Sequence, residues 1–358
     1  MHPGTTVGNT AIRFATLHDS GGVSRLGDAT VAFRPWPKLV REKRTGIVGF
    51  GHLGQYLAAE LQRRTDEVEL VFVWSRGRVQ GLPQHLVLED LAHAASRRPD
   101  LVVEVAHPAV ARAHGEQLLR HSDLLLGSPT ALAEPDTEAR LRAAASRHAL
   151  WVPCGALWGL HDIRALADRA QLAQLTVTMA KHPSALRLVD PDMRSRCEAA
   201  VTRPVLLYDG PVRGLCPLAP NNVNSMAAAA LAAHTLGFDG VRGRLLADPG
   251  LADFHTLEVE LVGPSEPDGR TFKVHTVRRN PSDKGVVTAS ATYGAFLGSV
   301  LGTDHLLATP TVPLSSPPGF RCPPPRDRDA WYSGPLPTVA TPLGEGTPVY
   351  IFLMAHCT

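Results

Sequence analysis

The 358-residue sequence lacks an excess of either charge: Lys and Arg number 36 against 34 Asp and Glu, for a formal net charge of +2. That balance excludes the cationic footprint with which proteins neutralise a phosphate backbone, so nucleic acid is not an expected partner. A cysteine framework is also missing. Cys154, Cys197, Cys216, Cys322 and Cys357 are scattered and odd in number, with neither paired metal-ligand spacing nor a dense disulfide pattern. They read as reduced thiols, and no metal site is expected; His107 and His114 do not form a recognisable one. No run approaches the ~20 apolar residues of a membrane span, and the opening MHPGTTVGNTAIRF has no long apolar core. The expectation is a cytoplasmic chain with no membrane partner.

What is present is a strand–helix rhythm, in a chain long enough for two domains. Residues 1–44 show no sustained period and read as a poorly ordered extension. From Thr45 the pattern changes: Gly46-Ile47-Val48 predicts a strand, and Leu53, Leu57 and Leu61 recur at helical spacing. Further strands are expected at Glu69–Trp74, Leu101–Val105, Leu124–Leu126 and Trp151–Val152, with helices including Leu88–Ser96 and Thr137–His148. Such alternation argues for an α/β fold, a Rossmann-type doubly wound parallel sheet over 45–165. Over 166–304 the pattern becomes α+β with a largely antiparallel sheet, whose last helix can return to the first domain. Strands are expected at Leu175–Met179, Val205–Tyr208, Leu257–Val262 and Thr271–Val277, the last two as a long hairpin. Pro317-Pro318 and Pro323-Pro324-Pro325 oppose regular structure in 305–358, which reads as a disordered tail.

The strand-to-helix junction carries Gly49-x-Gly51-x-x-Gly54. Alone the spacing is weak; between a strand and an amphipathic helix it is the dinucleotide turn. Gly49 allows the turn, Gly51 lets a pyrophosphate approach, and Gly54 permits close helix packing. Gly49, Gly51, His52, Leu53 and Gly54 are therefore candidate cofactor-binding residues. The second strand ends in Trp74-Ser75-Arg76-Gly77-Arg78, without the acid that normally takes the ribose hydroxyls. Ser75 and Arg76 become candidates for a 2′-phosphate, so the cofactor is NADP or NAD; the alternative is that both arginines are solvated loop charges. At the end of the third strand small Ala106 leaves room for the nicotinamide riboside. His107 reads more readily as a helix-start residue than as a ligand or base.

Three later segments complete the pattern: Pro153-Cys154-Gly155-Ala156-Leu157-Trp158-Gly159-Leu160-His161-Asp162, Pro220-Asn221-Asn222-Val223-Asn224, and Ala247-Asp248-Pro249 followed by His255. With the glycine turn, over about residues 45–301, they resemble the L-aspartate dehydrogenase family. The resemblance implies reversible oxidative deamination of L-aspartate, through iminoaspartate, to oxaloacetate and ammonia. It also implies that Ala156 lies beside the nicotinamide, that Asn222 or Asn224 contacts the cofactor, and that His255 is catalytic. Asn224 additionally reads as the amino-terminal cap of the Ala-rich helix. A dicarboxylic substrate needs cations, and Lys181 and His182 are the first candidates among Arg187, Arg203 and Arg213. A homodimer is expected, with the second sheet supporting the interface. The alternatives are a dehydrogenase or imine reductase acting on another amino or hydroxy acid, and a dinucleotide-binding sensor without turnover.

Overall fold

The computed structural model describes residues 43–302, together with the backbone of three short strands at 23–26, 29–32 and 305–307. β1 (Val23–Leu26) and β2 (Ala29–Ala32) pair antiparallel. Apart from these strands, the expectations for the amino-terminal extension and for the tail lie outside the described residues.

The first sheet begins at β3 (Lys43–Val48), whose buried Thr45–Val48 run fits a strand covered on both faces. With β4 (Val68–Trp74), β5 (Leu101–Glu104), β6 (Asp123–Leu126) and β7 (Leu150–Pro153) it forms a parallel sheet of order β7-β6-β5-β3-β4. α1 (His52–Arg63) covers one face through Leu57 and Leu61, packed with Ile47 and Val103. α2 (Pro108–Leu119) and α3 (Pro135–Ala144) cover the other, so the sheet is doubly wound as expected. The helix expected over Leu88–Ser96 is instead a 3₁₀ helix at Leu91–Arg97, started by the Asp90 side chain accepting from the Ala92 N–H. Pro99 disfavours a helical Arg98, which sits left-handed at φ 48° and stops the segment early.

The second half opens with α4 (Leu160–Asp168) and continues through β8 (Gln174–Lys181), α5 (Pro191–Glu198), β9 (Val205–Pro211), α6 (Val212–Leu215), α7 (Asn224–Ala232), α8 (Gly237–Gly240) and β10 (Arg242–Ala247). The long hairpin of β11 (Phe254–Ser265) and β12 (Thr271–Pro281) follows, then α9 (Ser290–Leu301). The sheet order is β12-β11-β8-β10-β9, antiparallel except for the β8–β10 pair. β10 had not been expected, because Arg242-Gly243-Arg244 hides the alternation that its buried Gly243, Leu245 and Ala247 complete.

One continuous core runs between the sheets. α7 is buried on every side, as its all-round apolar sequence requires, and packs on both α4 and the 3₁₀ helix Pro129–Ala133 after β6. α9 buries Phe296, Leu297 and Val300 among Ile47, Leu57 and Leu61 of the first sheet's layer. A final strand, β13 (His305–Leu307), pairs antiparallel with β7. The first sheet thus extends three residues past the position where the tail was expected to begin. Among the described residues, no helix is long and apolar enough to cross a membrane.

Candidate active site

Open parallel sheets bind ligands beyond the carboxyl ends of their strands, where the order reverses. Here that point lies between β3 and β5, since β4 is added on one side of β3 and β5 on the other. Gly49 leaves β3 at φ 119°, and an added Cβ would stand 2.7 Å from the backbone of Val105 and Ala106. A Cβ at Gly54 would collide with the Gly49 carbonyl at 2.0 Å, so α1 can approach the turn only with glycine there. At Gly51 the same added atom meets nothing within 4 Å. The open space lies at the start of α1, which has no acidic residue in its first turn and no side-chain cap. Its first N–H groups are available to an anion, so this turn fits a dinucleotide pyrophosphate.

A cleft of about 410 Å³ runs from this turn into the second half of the chain. It is lined by Gly51, His52, Leu53, Ala106, Ala156, Lys181, Asn222, Asn224 and His255, which the fold therefore brings together. Gly49 and Gly54 shape the turn from behind. Ser75 and Arg76 stand outside the cleft at the end of β4: the Ser75 hydroxyl accepts from the Gly77 N–H, and Arg76 and Arg78 are exposed. The Arg76 charge still reaches His107, lowering its pKa after the larger effect of burial. His107 is the amino-terminal cap of α2, with Nδ1 accepting from the Ala109 N–H at 3.1 Å.

His182 does not join the cleft. Its Nδ1 faces the Ser184 hydroxyl at 2.8 Å and caps the short 3₁₀ helix Pro183–Ala185, because the chain turns directly after β8. Lys181, one residue earlier, points the other way as strand alternation demands. It is 5% exposed, and its Nζ donates to the Val287 carbonyl at 2.8 Å. Burial pushes its pKa down to about 7. Across the β8–β11 ladder, next to the Ala180–Thr256 pair, is His255, also buried. Burial first and the Lys181 charge second lower its pKa to about 4, against a raising hydrogen bond with the Val286 backbone. Segment 286–287 thus holds both side chains.

The two asparagines have different roles. Asn222 accepts from the Arg187 N–H at 2.7 Å and donates to the Ala185 carbonyl at 3.1 Å, so its amide is committed to the 185–187 turn. Asn224 is not a cap: the capping position is Val223, and Asn224 is already helical. Its Oδ1 lies 3.3 Å from the Thr130 hydroxyl, while no hydrogen bond to its amide nitrogen occurs among the described residues. Arg187 lines the cleft with its guanidinium spent on the Ser184, Leu186 and Gly285 carbonyls. Arg203 is exposed, and Arg213 pairs with Asp239.

Sequence reasoning missed Glu104 as a site residue. Fully buried at the end of β5, it accepts from the Ala106 and His107 N–H groups at 2.8 Å each and from the Ser128 N–H at 3.0 Å. Burial raises its pKa to about 7 against these donors. The carboxylate ties the β5 and β6 loops that floor the cofactor side. The signal available was an acid closing an otherwise apolar strand, Leu101–Glu104. Asn280, 2% exposed and opposite His255 in the β11–β12 ladder, was missed as well. Among the described residues, no group of His, Cys, Asp and Glu could hold a metal ion.

Comparison with known proteins agrees with this geometry. Residues 49–152 match the family described as homoserine dehydrogenase, NAD binding domain, and residues 162–299 match aspartate dehydrogenase, C-terminal. An aspartate dehydrogenase domain-containing protein of Xenopus tropicalis is 48% identical, over 73% of this chain and 94% of its own length. An L-aspartate dehydrogenase 1 of Bordetella pertussis is 33% identical, over 60% of this chain and 81% of its own. A crystal structure of aspartate dehydrogenase from Thermotoga maritima shares the fold, with a TM-score of 0.54 at 19% identity, covering 73% of this chain and 94% of that one. With its dinucleotide turn and the cleft that turn opens into, the chain belongs to the aspartate dehydrogenase family of NAD(P)-dependent oxidoreductases.

Proposed function

We propose that the protein catalyses the reversible oxidative deamination of L-aspartate to oxaloacetate and ammonia, with iminoaspartate as intermediate. The observation that carries this reading is the pair Lys181 and His255, buried side by side in the cleft that the dinucleotide turn opens into. A bound dinucleotide would supply the hydride acceptor for the substrate Cα. The chain's own residues do the rest. The start of α1 would hold the pyrophosphate, Ala106 and Ala156 would leave room beside the ring, and the Asn224 amide nitrogen would be a donor for the carboxamide.

Hydrolysis of the imine needs proton transfers near neutral pH. Hydride loss leaves a protonated imine, C=NH2⁺; water oxygen bonds to its carbon, the C=N electron pair moves to nitrogen, and the water proton passes to Lys181 Nζ, which gives a neutral carbinolamine. On collapse the C–N bond breaks, ammonia leaves with a proton returned by Lys181, and the new carbonyl forms as the hydroxyl proton passes to His255. A lysine whose amine is substantially uncharged near pH 7 suits this task better than the permanent carboxylate clamp expected from the sequence. Incubating the protein with L-aspartate, other amino acids and hydroxy acids, each with both oxidised coenzymes, tests the assignment by reduced-nicotinamide formation. Preferential turnover of L-aspartate supports it. Turnover of a different acid transfers it to that substrate, and tight coenzyme binding without any turnover leaves a sensor.

Coenzyme choice follows from Arg76 and Arg78, which make no ion pair among the described residues. Arg76→Ala is expected to weaken NADP more than NAD, by roughly 1–3 kcal/mol for a charge-assisted contact. Calorimetric titration of both coenzymes into the variant checks this, and equal losses would remove Arg76 from the 2′-phosphate.

A further inference from the structure

Deamination of L-aspartate, as proposed above, puts two carboxylates into a cleft whose lining holds no Asp or Glu among the described residues. Yet the cations expected from the sequence are not left to bind the side-chain carboxylate. In that reading Lys181 carries out proton transfer, while Arg187 is spent on the Ser184, Leu186 and Gly285 carbonyls and His182 stands outside the cleft. Oriented neutral donors can hold a carboxylate instead.

Asn280 offers one. It is 2% exposed and lines the cleft, and its carboxamide makes no hydrogen bond among the described residues. A buried amide without a partner is costly, so a ligand group that engages it is favoured. Asn280 pairs with His255 across the β11–β12 ladder and so continues the row Lys181, His255, Asn280 over three neighbouring strands. Segment 286–290 passes across that row. The Val287 carbonyl accepts from Lys181 Nζ, the Val286 backbone bonds His255, and the Ser290 hydroxyl donates to the Pro281 carbonyl at 3.3 Å. Between these anchors Thr288 and Ala289 line the cleft, and neither their N–H groups nor the Thr288 hydroxyl has a partner among the described residues. Ala289 is also the residue before α9, whose first turn has no acid and no side-chain cap, so the positive end of that helix lies at the same place. Arg278, two residues before Asn280 and on the same face of β12, adds a full charge nearby. Its guanidinium donates to the Ala156 carbonyl at 3.1 Å and has no ion pair among the described residues.

We propose that Asn280, with the Thr288 and Ala289 donors at the start of α9, binds the side-chain carboxylate of the substrate and thereby selects a dicarboxylic amino acid. The inference rests on the deamination reading, in which the reacting carbon stands between Lys181 and His255. Asn280 is one strand, about 4.8 Å, beyond His255, which suits the carboxylate farther from that carbon rather than the one attached to it. The Asn280 amide nitrogen donates to one oxygen and the 288–289 donors to the other, while the α9 terminus and Arg278 supply favourable potential.

Calorimetric titration with succinate and with butyrate, into the full chain saturated with the coenzyme it binds more tightly, tests the subsite without turnover. Wild type should bind succinate at least about 10-fold more tightly than butyrate, since only succinate has a carboxylate for the second position. Asn280→Ala and Thr288→Val should each lose about 10–100-fold in succinate affinity and leave butyrate unchanged, and Asn280→Asp should lose the most, because it sets acid against acid. KM for L-aspartate should rise in step, with kcat changed far less. Melting temperature identifies the folded variants, and Thr288→Val, at a half-buried position, decides the matter if both Asn280 variants fail to fold. Equal wild-type affinity for succinate and butyrate overturns the proposal, as does succinate binding indifferent to these substitutions. A fall in kcat at unchanged succinate affinity also overturns it, and makes Asn280 a positioning residue for His255. The two readings fail separately: no turnover of L-aspartate, with succinate binding still dependent on Asn280, keeps the subsite and transfers the reaction to another dicarboxylic substrate. Turnover of L-aspartate with KM indifferent to all three variants removes the subsite and keeps the reaction.

Discussion

His255→Ala is expected to lower turnover of L-aspartate by roughly 10²–10⁴-fold, the range spanned by loss of a positioned general acid–base group. In barrier terms this is about 3–5 kcal/mol. Coenzyme affinity should barely change, because the turn proposed to hold the pyrophosphate, Gly49–Gly54, follows a strand of the other sheet. A second reading of the same residue is packing: His255 is 6% exposed at the start of β11 and is held by the Val286 backbone. If packing were its whole role, the variant would lose melting temperature, binding and turnover together. Turnover, NADPH affinity and melting temperature on one preparation separate the two, and near-normal turnover in a folded variant sinks the catalytic role.

The second large effect concerns Lys181 and is read in the pH profile. For the free enzyme, kcat/KM should rise with pH through about 7 as Lys181 loses its proton. His255, with its pKa near 4, is already neutral there and adds no limb above pH 5 or so. Lys181→Met should reduce turnover by roughly 10²–10³-fold and abolish the limb near 7. Lys181→Arg keeps the charge but cannot release a proton at this pH, so it should be as inactive as the Met variant. A carboxylate clamp predicts the opposite: Arg rescues, and KM changes more than kcat.

The same substitution has a stability signature of definite sign. The folded-state pKa lies below the ordinary 10.5, so the folded chain binds fewer protons than the unfolded chain between about 7 and 10.5, and wild-type stability rises with pH across that window. The cost of burying the ammonium is fully present at and below pH 7. Lys181→Met should therefore gain melting temperature relative to wild type most at pH 7 and below, and the gain should shrink as pH rises towards 10. Equal differences at pH 6 and pH 9 would contradict the buried-amine assignment.

Much of the frame was legible because it is written in local chemistry. Gly49 and Gly54 are required by the clashes an added Cβ would meet, Gly51 borders open space, and the spacing of all three is visible without coordinates. The β11–β12 hairpin was equally plain, since alternation along Leu257, Val259 and Leu261 reports one covered face. The 3₁₀ helix at Leu91–Arg97 and the strand β10 were not, because short segments with charged or proline neighbours carry too few periods to separate helix, turn and strand. His107 could be assigned as a helix-start residue from Pro108 alone. Asn224 could not be separated from a cap, because the first helical position and the position before it differ by one residue.

By itself the sequence determined the doubly wound sheet and the glycine turn, because periodicity and motif spacing are properties of neighbours along the chain; His255 was singled out by the family resemblance, and Lys181 by the charge a dicarboxylic substrate needs. Only the tertiary structure decided which cations share the cleft. Lys181 and His182 are adjacent in sequence, yet strand alternation sends one inward and leaves the other to cap a turn. It also decided protonation: Lys181, His255 and Glu104 have ordinary side chains, and their shifted pKa values arise from desolvation by segments distant in sequence, such as 286–287 over Lys181 and His255. Burial is a property of the packed whole, and no local pattern contains it.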